Sequence, residues 1–461
     1  MAHAPGIDRS VAVGAMDYFG SWLAFRQEHL RIPGVQAAFL LGDEVLFSAA
    51  YGLADLEAGT PLTTRHLFRI ASHSKTFTAT AVLQLAEQGR LRLDDTAGSW
   101  LPYLAEAGSA LAPVTLRELL AHAGGLVRDG SDGDHWQSYG PFPDAEQLRA
   151  IALEAGASVV APNDRFKYSN IGYSLLGAVI ERASGEPYNA YVRGHVVDVL
   201  GLEDTGPELD PARLGDYAPG YSALSYAASR VRLEHVDTRA MASATGFYST
   251  AADVVRYFAA HFTGDDRLLS DGSKRLMRQR LWDVGIDDHG YGLGLALTTV
   301  GDRRLIGHGG GYPGHITSSV ADPEDRFALS VLTNAIDGPA EECALAGVRL
   351  LDLALKVPPA DRDLRRFTGR FASVWGVSDV ALLGGRLYLL KPTVADPTDK
   401  AVELDVVDDV TLRVAGGGTG FGSYGEPLTY TFDGRGKVST VRIDSGMTFV
   451  PLDQLRLPGR P

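Results

Sequence analysis

Phe68-Arg-Ile-Ala-Ser-His-Ser-Lys-Thr-Phe-Thr-Ala79 is the stretch that decides how the rest of the chain is read. It sets Ser72 and Lys75 three residues apart, and residues three apart on a helix are neighbours on one face. A helix beginning at Ser72 therefore lets the lysine amine reach the serine hydroxyl. That hydroxyl becomes a strong nucleophile only when a base takes its proton, and a lysine desolvated inside a protein is neutral enough to serve. The run Thr76 to Gln88 is apolar at Phe77, Ala79, Ala81, Val82, Leu83, Leu85 and Ala86, which predicts a helix buried on most sides and ended by Gly89. Taken alone, the pair also reads as a helix cap beside a solvated charge, so the other segments have to decide.

A chain of 461 residues exceeds the roughly 250 to 300 at which single cores stop growing, so two domains are expected. Apolar and charged contents of 45% and 22% are those of a soluble globular enzyme. The net charge of −14, with no long Lys/Arg run, excludes nucleic acid as the expected partner. One cysteine, Cys343, excludes an internal disulfide and a cysteine-rich metal site, and its neighbours Leu345, Val348 and Leu351 make it a small core residue. Met1 to Asp8 lacks the basic and then apolar pattern of a signal peptide, and no run of about eighteen apolar residues exists, so a cytoplasmic protein without a membrane partner is expected. The twelve histidines form no metal-spacing cluster, and neither metal nor cofactor is expected.

Outward from the Ser72 stretch, Val11, Ala15, Phe19, Trp22 and Leu23 recur at helical spacing. Val35 to Leu41 and Val45 to Tyr51 flank Gly42-Asp43-Glu44 as a hairpin. Thr115-x-x-Glu118 is a capping box opening a short helix, Leu116 to Leu120, before Gly124-Gly125. Residues 127–143 are rich in Gly and Asp yet hold His135, Trp136, Tyr139 and Phe142, which suits either a pocket rim or a loop pinned by aromatic anchors.

Tyr168-Ser169-Asn170 stands between a loop and a helix marked by Ile171, Leu175, Leu176, Val179 and Ile180. Such a junction projects side chains into a cleft, where a tyrosine can pass a proton; the plainer reading is a core tyrosine with Asn170 as helix N-cap. Ile306-Gly-His-Gly-Gly-Gly-Tyr-Pro-Gly-His315 precedes strand-like runs at Ile316 to Ala321 and Phe327 to Thr333. Glycines at 309, 310 and 311 let a backbone pass close to a substrate, and an edge strand of this kind can offer an N–H to a developing oxyanion. The alternative is a glycine-rich turn with His308 as a structural donor.

In this order, S-x-x-K at Ser72/Lys75, Y-x-N at Tyr168/Asn170 and [KH]-x-G at His308/Gly310, the sequence resembles the penicillin-recognising serine hydrolases. The resemblance is to the branch holding class C β-lactamases, B-type D-alanyl-D-alanine carboxypeptidases, D-aminopeptidases and related esterases. Leu119 to Leu126, Gly246 to Asp253 and Tyr291 to Gly294 match that branch's framing segments, and the match spans about residues 20 to 355. The resemblance implies a β-lactamase-like α/β (α+β) fold in which an antiparallel sheet flanked by helices and an all-helical cluster enclose a cleft. It implies Ser72 as acylated nucleophile, Lys75 as its proton acceptor or the group tuning it, Tyr168 as the relay to the leaving group, and Asn170 as the group orienting Lys75 and binding the acyl side. The oxyanion hole would be the N–H groups of Ser72 and Gly311, with His308, Gly309 and Gly310 lining the substrate strand. Where carboxylate-binding members carry K-T-G, this chain has His308-Gly309-Gly310, and a mostly neutral histidine weakens a carboxylate anchor. The departure points away from β-lactam hydrolysis and carboxypeptidase action, and toward the D-aminopeptidases and esterases.

After Pro358-Pro359 the texture changes to short runs with frequent turns: Val380 to Leu383, Arg386 to Leu390, Leu404 to Val407, Thr411 to Val414, Leu428 to Phe432 and Val438 to Ile443. These predict a closed barrel that resembles the lipocalin-like domains attached to some D-aminopeptidase-type members. The expected organisation is a hydrolase domain over 1–357 and a barrel over 362–461. The expected function is a serine hydrolase acting through an acyl-enzyme on a small ester, amide or D-residue peptide, with homo-oligomerisation left open. Acyl transfer or peptide cyclisation through the same intermediate, or a slowly turning-over penicillin-binding sensor, are the alternatives.

Overall fold

The hairpin around Gly42 supplies the first two strands of the larger unit's sheet. The computed structural model describes residues 6–137, 140–285, 288–358, 364–417, 423–443 and 446–457. Its contacts divide the chain into Ile32–Glu341 and a second unit made of Met1–Arg31 and Glu342–Pro461.

In the first unit the sheet strands are β1 (Gly34–Leu41), β2 (Glu44–Asp55), β3 (Thr60–Pro61), β4 (Trp282–Asp283), β5 (His289–Tyr291), β6 (Ala296–Val300), β7 (Arg303–Tyr312), β8 (His315–Asp322) and β9 (Phe327–Thr333). They form one nine-stranded antiparallel sheet in the order β3-β2-β1-β9-β8-β7-β6-β5-β4. The first strands of the chain thus pair with the last of the sheet, Val35 opposite Thr333 through Leu41 opposite Phe327. β1 is buried at all but its final residue, which explains why it reads as a continuous apolar run rather than an alternating one. Gly42, at φ 62°, makes the hairpin turn.

The glycine-rich segment is a strand, not a turn. β7 pairs with β8 from Ile306/Ala321 to Tyr312/His315, but with β6 only from Arg303 to Gly307. Among the described residues His308 to Tyr312 therefore has a strand partner on one side only, and the expected edge exists locally inside the sheet.

The helical part is built on α2 (Ser74–Glu87), buried without interruption from Ser74 to Leu83. The helix starts two residues later than predicted, because a 3-10 turn, Ala71–His73, precedes it. Gly89 follows its end at φ 70°. α3 (Leu116–Leu120) opens with the predicted capping box of Thr115 and Glu118, and α4 (Asn170–Ser184) closes at Gly185 in a left-handed conformation. Ser169, not Asn170, caps α4 by accepting the Gly172 amide at 2.9 Å. α5 (Ala251–Ala259) joins the same core, in which Ala38, Leu40 and Leu332 of the sheet meet Phe77, Leu119, Ile171 and Val254 of the helices.

The second unit holds a closed eight-stranded barrel of sequential antiparallel neighbours: β10 (Gly369–Ser373), β11 (Gly376–Leu383), β12 (Arg386–Leu390), β13 (Val402–Val406), β14 (Thr411–Gly417), β15 (Pro427–Phe432), β16 (Val438–Ile443) and β17 (Met447–Pro451). The first and last strands, absent from the predicted runs, close it by pairing Phe371 with Pro451. Phe371, Leu387, Leu404, Leu428, Val441 and Phe449 fill the interior together with Phe367, whose ring meets Tyr430 edge-on at 5.0 Å. Eight strands leave an interior wide enough for such side chains. α1 (Arg9–His29) belongs to this unit by direct bonds: Tyr18 donates to Asp379 at 2.9 Å, Trp22 to Pro392 O at 3.1 Å and Arg26 to Thr393 O at 2.6 Å. α6 (Ala340–Leu355), which buries Cys343, is grouped here too from Glu342 onward. The change of texture after Pro358 marks where strands replace helices; the packing boundary differs because α1 and α6 are held from the barrel side. Among the described residues no helix is long and apolar enough to cross a membrane.

Candidate active site

Ser72 is presented by a strained turn. Phe68–Arg69 pairs with Tyr248–Ser249, the Ile70 amide donates to Phe247 O at 2.9 Å, and Ala71 then adopts φ 47°. A non-glycine residue in that left-handed region costs on the order of 1–3 kcal/mol, a cost that tends to be concentrated at functional sites. Two serines lie on the turn, and their surroundings separate them. Ser74 is fully buried, donating to Ala71 O at 2.6 Å and accepting from the Phe247 amide at 3.0 Å. Ser72 is half-buried, and its Oγ accepts from Tyr168 OH at 2.8 Å and lies 3.2 Å from Lys75 Nζ.

Lys75 is fully buried, with Nζ 2.7 Å from Asn170 Oδ1 and 2.8 Å from Ala244 O. Burial holds its pKa well below the ordinary lysine value, a shift that nearby Asp129 opposes and Arg128 reinforces. A neutral amine has two N–H groups and one lone pair. Two carbonyl oxygens take the N–H groups, and the direction left for the lone pair is the one facing Ser72 Oγ. The Tyr168 phenol is pushed above its ordinary pKa, chiefly by burial, and so keeps its proton and donates it to Ser72. Its ring lies 4.8 Å from Lys75 Nζ and 4.2 Å from the His122 ring.

Because Ser169 takes the capping role, the Asn170 amide is free to bridge. Its oxygen faces Lys75, and its Nδ2 donates to Asp129 Oδ1 at 2.6 Å. Asp129 also accepts from Trp136 Nε1 at 2.9 Å. The aromatic anchors of this segment pack on one another, His135 at 4.6 Å and Trp136 at 5.0 Å from Phe142; Tyr139 lies outside the described residues.

β7 brings the third motif to the same place. His308 is buried, with Nδ1 2.6 Å from Gly309 O and Nε2 3.1 Å from Tyr291 OH. A carbonyl only accepts, so Nδ1 carries the proton and Nε2 takes the tyrosine hydroxyl's. Burial, with Lys75 and His73 adding to it, pushes the His308 pKa down to about 3, so the ring is neutral at working pH. Gly310 has to be glycine, since a Cβ there would lie 2.2 Å from Ile70 O and 2.5 Å from Thr317 Oγ1. Gly309 and Gly311 alternate with it on the exposed face. Gly294, at φ 74°, sits where a Cβ would meet Ala79 Cβ at 2.3 Å, locking the Tyr291 segment onto α2.

The structure thus brings Ser72, Lys75, Tyr168 and Asn170 into one bonded group, with His308 coupled to Lys75 by electrostatics and bonded to Tyr291, whose ring packs on His122 beside Tyr168. Three participants had no individual signal in the sequence. Asp129 is one of several acids in a Gly/Asp-rich segment, Ala244 contributes only its backbone carbonyl, and His122, at φ 55° with Nδ1 accepting the Ser169 amide at 3.1 Å, stood out only inside a framing segment.

The Beta-lactamase family profile matches residues 20–354. The chain is 32% identical over 350 residues to Esterase EstB of Burkholderia gladioli, covering 66% of this chain and 86% of the esterase. Among solved structures, the D-amino acid amidase from Ochrobactrum anthropi SV3, complexed with L-phenylalanine, superposes with a TM-score of 0.62 at 26% identity over 74% of this chain and 98% of the amidase. The octameric penicillin-binding protein homologue from Pyrococcus abyssi shares the fold over 94% of this chain and 99% of its own, with a TM-score of 0.66 at 21% identity.

Proposed function

The chain belongs to the beta-lactamase family, and from that premise we propose that it is a serine hydrolase forming an acyl-enzyme on Ser72 and cleaving a small ester, amide or D-residue peptide. One observation carries the proposal: the buried Lys75 amine has both N–H groups taken by Asn170 and Ala244, and its remaining face lies 3.2 Å from Ser72 Oγ. Lys75 accepts the Ser72 proton as Oγ attacks the substrate carbonyl. Tyr168 then delivers its proton to the leaving group, and the proton that Lys75 took from Ser72 restores the phenol. The Ser72 N–H and the Gly311 N–H, on the stretch of β7 that lacks a second partner strand, stabilise the oxyanion, which needs two donors aimed at one point. Water later attacks the ester by the reverse path.

The substrate class rests on His308. A neutral imidazole at the place of a lysine gives no fixed charge for a carboxylate, which favours neutral esters and D-aminoacyl amides over penicillins and peptide C-termini. The relatives named as an esterase and a D-amino acid amidase support the same choice. We assign the chemistry to residues 1–357 and take 362–461 as an attached lipocalin-like barrel. A cytoplasmic location is part of the proposal and is tested by cell fractionation.

Labelling with a fluorophosphonate followed by peptide mass spectrometry tests the centre of the proposal. The adduct is expected on Ser72 in the native protein and in Ser74→Ala, and absent from Ser72→Ala. Undiminished labelling and turnover in Ser72→Ala would overturn it.

A further inference from the structure

Asp129 stands behind the catalytic group rather than in it. Its side chain is 15% exposed, and among the described residues every polar contact it makes is with a donor: Asn170 Nδ2 at 2.6 Å, Trp136 Nε1 at 2.9 Å and Arg128 Nε at 3.2 Å. Gly130, at φ 97° and packed on Ile151, turns the chain immediately after it. The Arg128 carbonyl accepts the Asn170 and Ile171 amides at 2.8 Å and 3.2 Å, so the same dipeptide also holds the start of α4.

An ionised carboxylate has no proton to give, so only the NH₂ end of the Asn170 amide can face Asp129. The amide oxygen is thereby forced toward Lys75, at 2.7 Å. Were the amide reversed, its NH₂ would compete with the lysine N–H groups, and the lone pair would lose its direction toward Ser72. We propose that Asp129 is a positioning residue for the acylation step: it fixes the Asn170 amide, tunes the charge on Lys75, and ties both to the rim through Trp136. This rests on Lys75 acting as the base of Ser72.

The charge consequence has a definite sign. Lys75 is faced by Arg128 and Asp129 from the rim, Tyr168 and Tyr173 from the loop and α4, His122 from the segment after α3, and His308 from β7. The two histidines are held neutral by burial, and burial keeps the two tyrosines protonated, so Asp129 is the negative charge of the group. It favours the ammonium form of Lys75, while Arg128 disfavours it. Asp129→Asn removes the negative charge and leaves the Arg128 charge unopposed. The Lys75 pKa then falls further, and the base form persists to lower pH.

The test uses the full chain and a p-nitrophenyl ester, recording kcat/KM from pH 5 to 10 beside a thermal melt. In Asp129→Asn the acid limb is expected to move down by on the order of one pH unit, the effect of one charge a few ångströms away at intermediate dielectric, and the plateau to fall at least about tenfold as Asn170 loses its orientation. Asp129→Glu keeps the charge but displaces it, so its acid limb is expected to stay in place while the plateau falls. An acid limb that does not move in Asp129→Asn overturns the proposal whatever the plateau does, since packing damage alone lowers rate without shifting a pKa. If Asp129→Asn does not fold, a native plateau in Asp129→Glu overturns it equally. Phosphonate labelling of the native protein away from Ser72 would instead bring down the serine–lysine mechanism itself, with Ser72 labelled and Asp129 inert marking failure of this inference alone.

Discussion

Replacing Tyr168 by phenylalanine removes one oxygen and leaves the rest of the site standing. The ring stays wedged 4.2 Å from His122 and 4.8 Å from Lys75, with the Arg128 guanidinium at 5.4 Å. Only the 2.8 Å hydrogen bond to Ser72 is lost, a stability cost of about 0.5–1.5 kcal/mol. The kinetic cost is larger if the hydroxyl delivers a proton to the leaving group: general acid–base groups supply about 10²–10⁴-fold, or about 2.7–5.5 kcal/mol of barrier. That cost depends on what leaves. A p-nitrophenolate departs without a proton, whereas an amine cannot. In Tyr168→Phe, kcat/KM for a D-aminoacyl amide is therefore expected to fall about 10³-fold, and for a p-nitrophenyl ester only about tenfold. Both rates report acylation, because kcat/KM stops at the first irreversible step. Equal losses on the two substrates, or losses below about threefold on both, would refute proton delivery by Tyr168 and leave it a packing role.

Three further outcomes follow from the same geometry. Because burial depresses the Lys75 pKa and raises that of Tyr168, activity is lost as pH falls through the depressed lysine value and holds level up to about pH 10; a kcat/KM profile still climbing tenfold per unit at pH 9 to 10 would contradict this. His308→Lys installs a fixed charge in place of a neutral ring, and a charge-assisted hydrogen bond is about twice as strong as a neutral one; the ratio of kcat/KM for a chromogenic cephalosporin to that for an ester should rise about tenfold, and an unmoved ratio removes His308 from substrate choice. Beneath the Ser72 turn, Arg69 is fully buried against Glu208 at 2.8 Å, so Glu208→Ala is expected to lower unfolding stability by about 3–5 kcal/mol by stranding that charge, read as a shift of the denaturation midpoint; a change below about 1 kcal/mol would show that Val236 O and the Tyr312 ring suffice for Arg69.

Much of the architecture was legible because its signals are local. The capping box at Thr115 and Glu118, the Gly42 turn, the apolar run after Lys75 and the strands Arg386–Leu390 and Val438–Ile443 each depend on residues within a few positions of one another. The order of the three motifs determined the family, since each holds a short segment in a conformation the chemistry demands. Signals of the same reach failed where packing intervened. α2 begins at Ser74 because Ala71 turns left-handed under the Ile70 contact with Phe247, and Ser169 displaces Asn170 as the cap. The barrel's first and last strands are defined by pairing with each other across the whole domain.

What the sequence determined by itself is therefore which residue types reach the cleft. Which of them do what was decided by tertiary structure: that Ser74 is consumed by backbone bonds while Ser72 is not, that burial holds His308 neutral, and that Asp129 grips Asn170. The physical reason is separation along the chain. Lys75 meets Asn170 across 95 residues and Ala244 across 169, and a pKa or a lone-pair direction depends on the burial and partners that only the folded chain brings together.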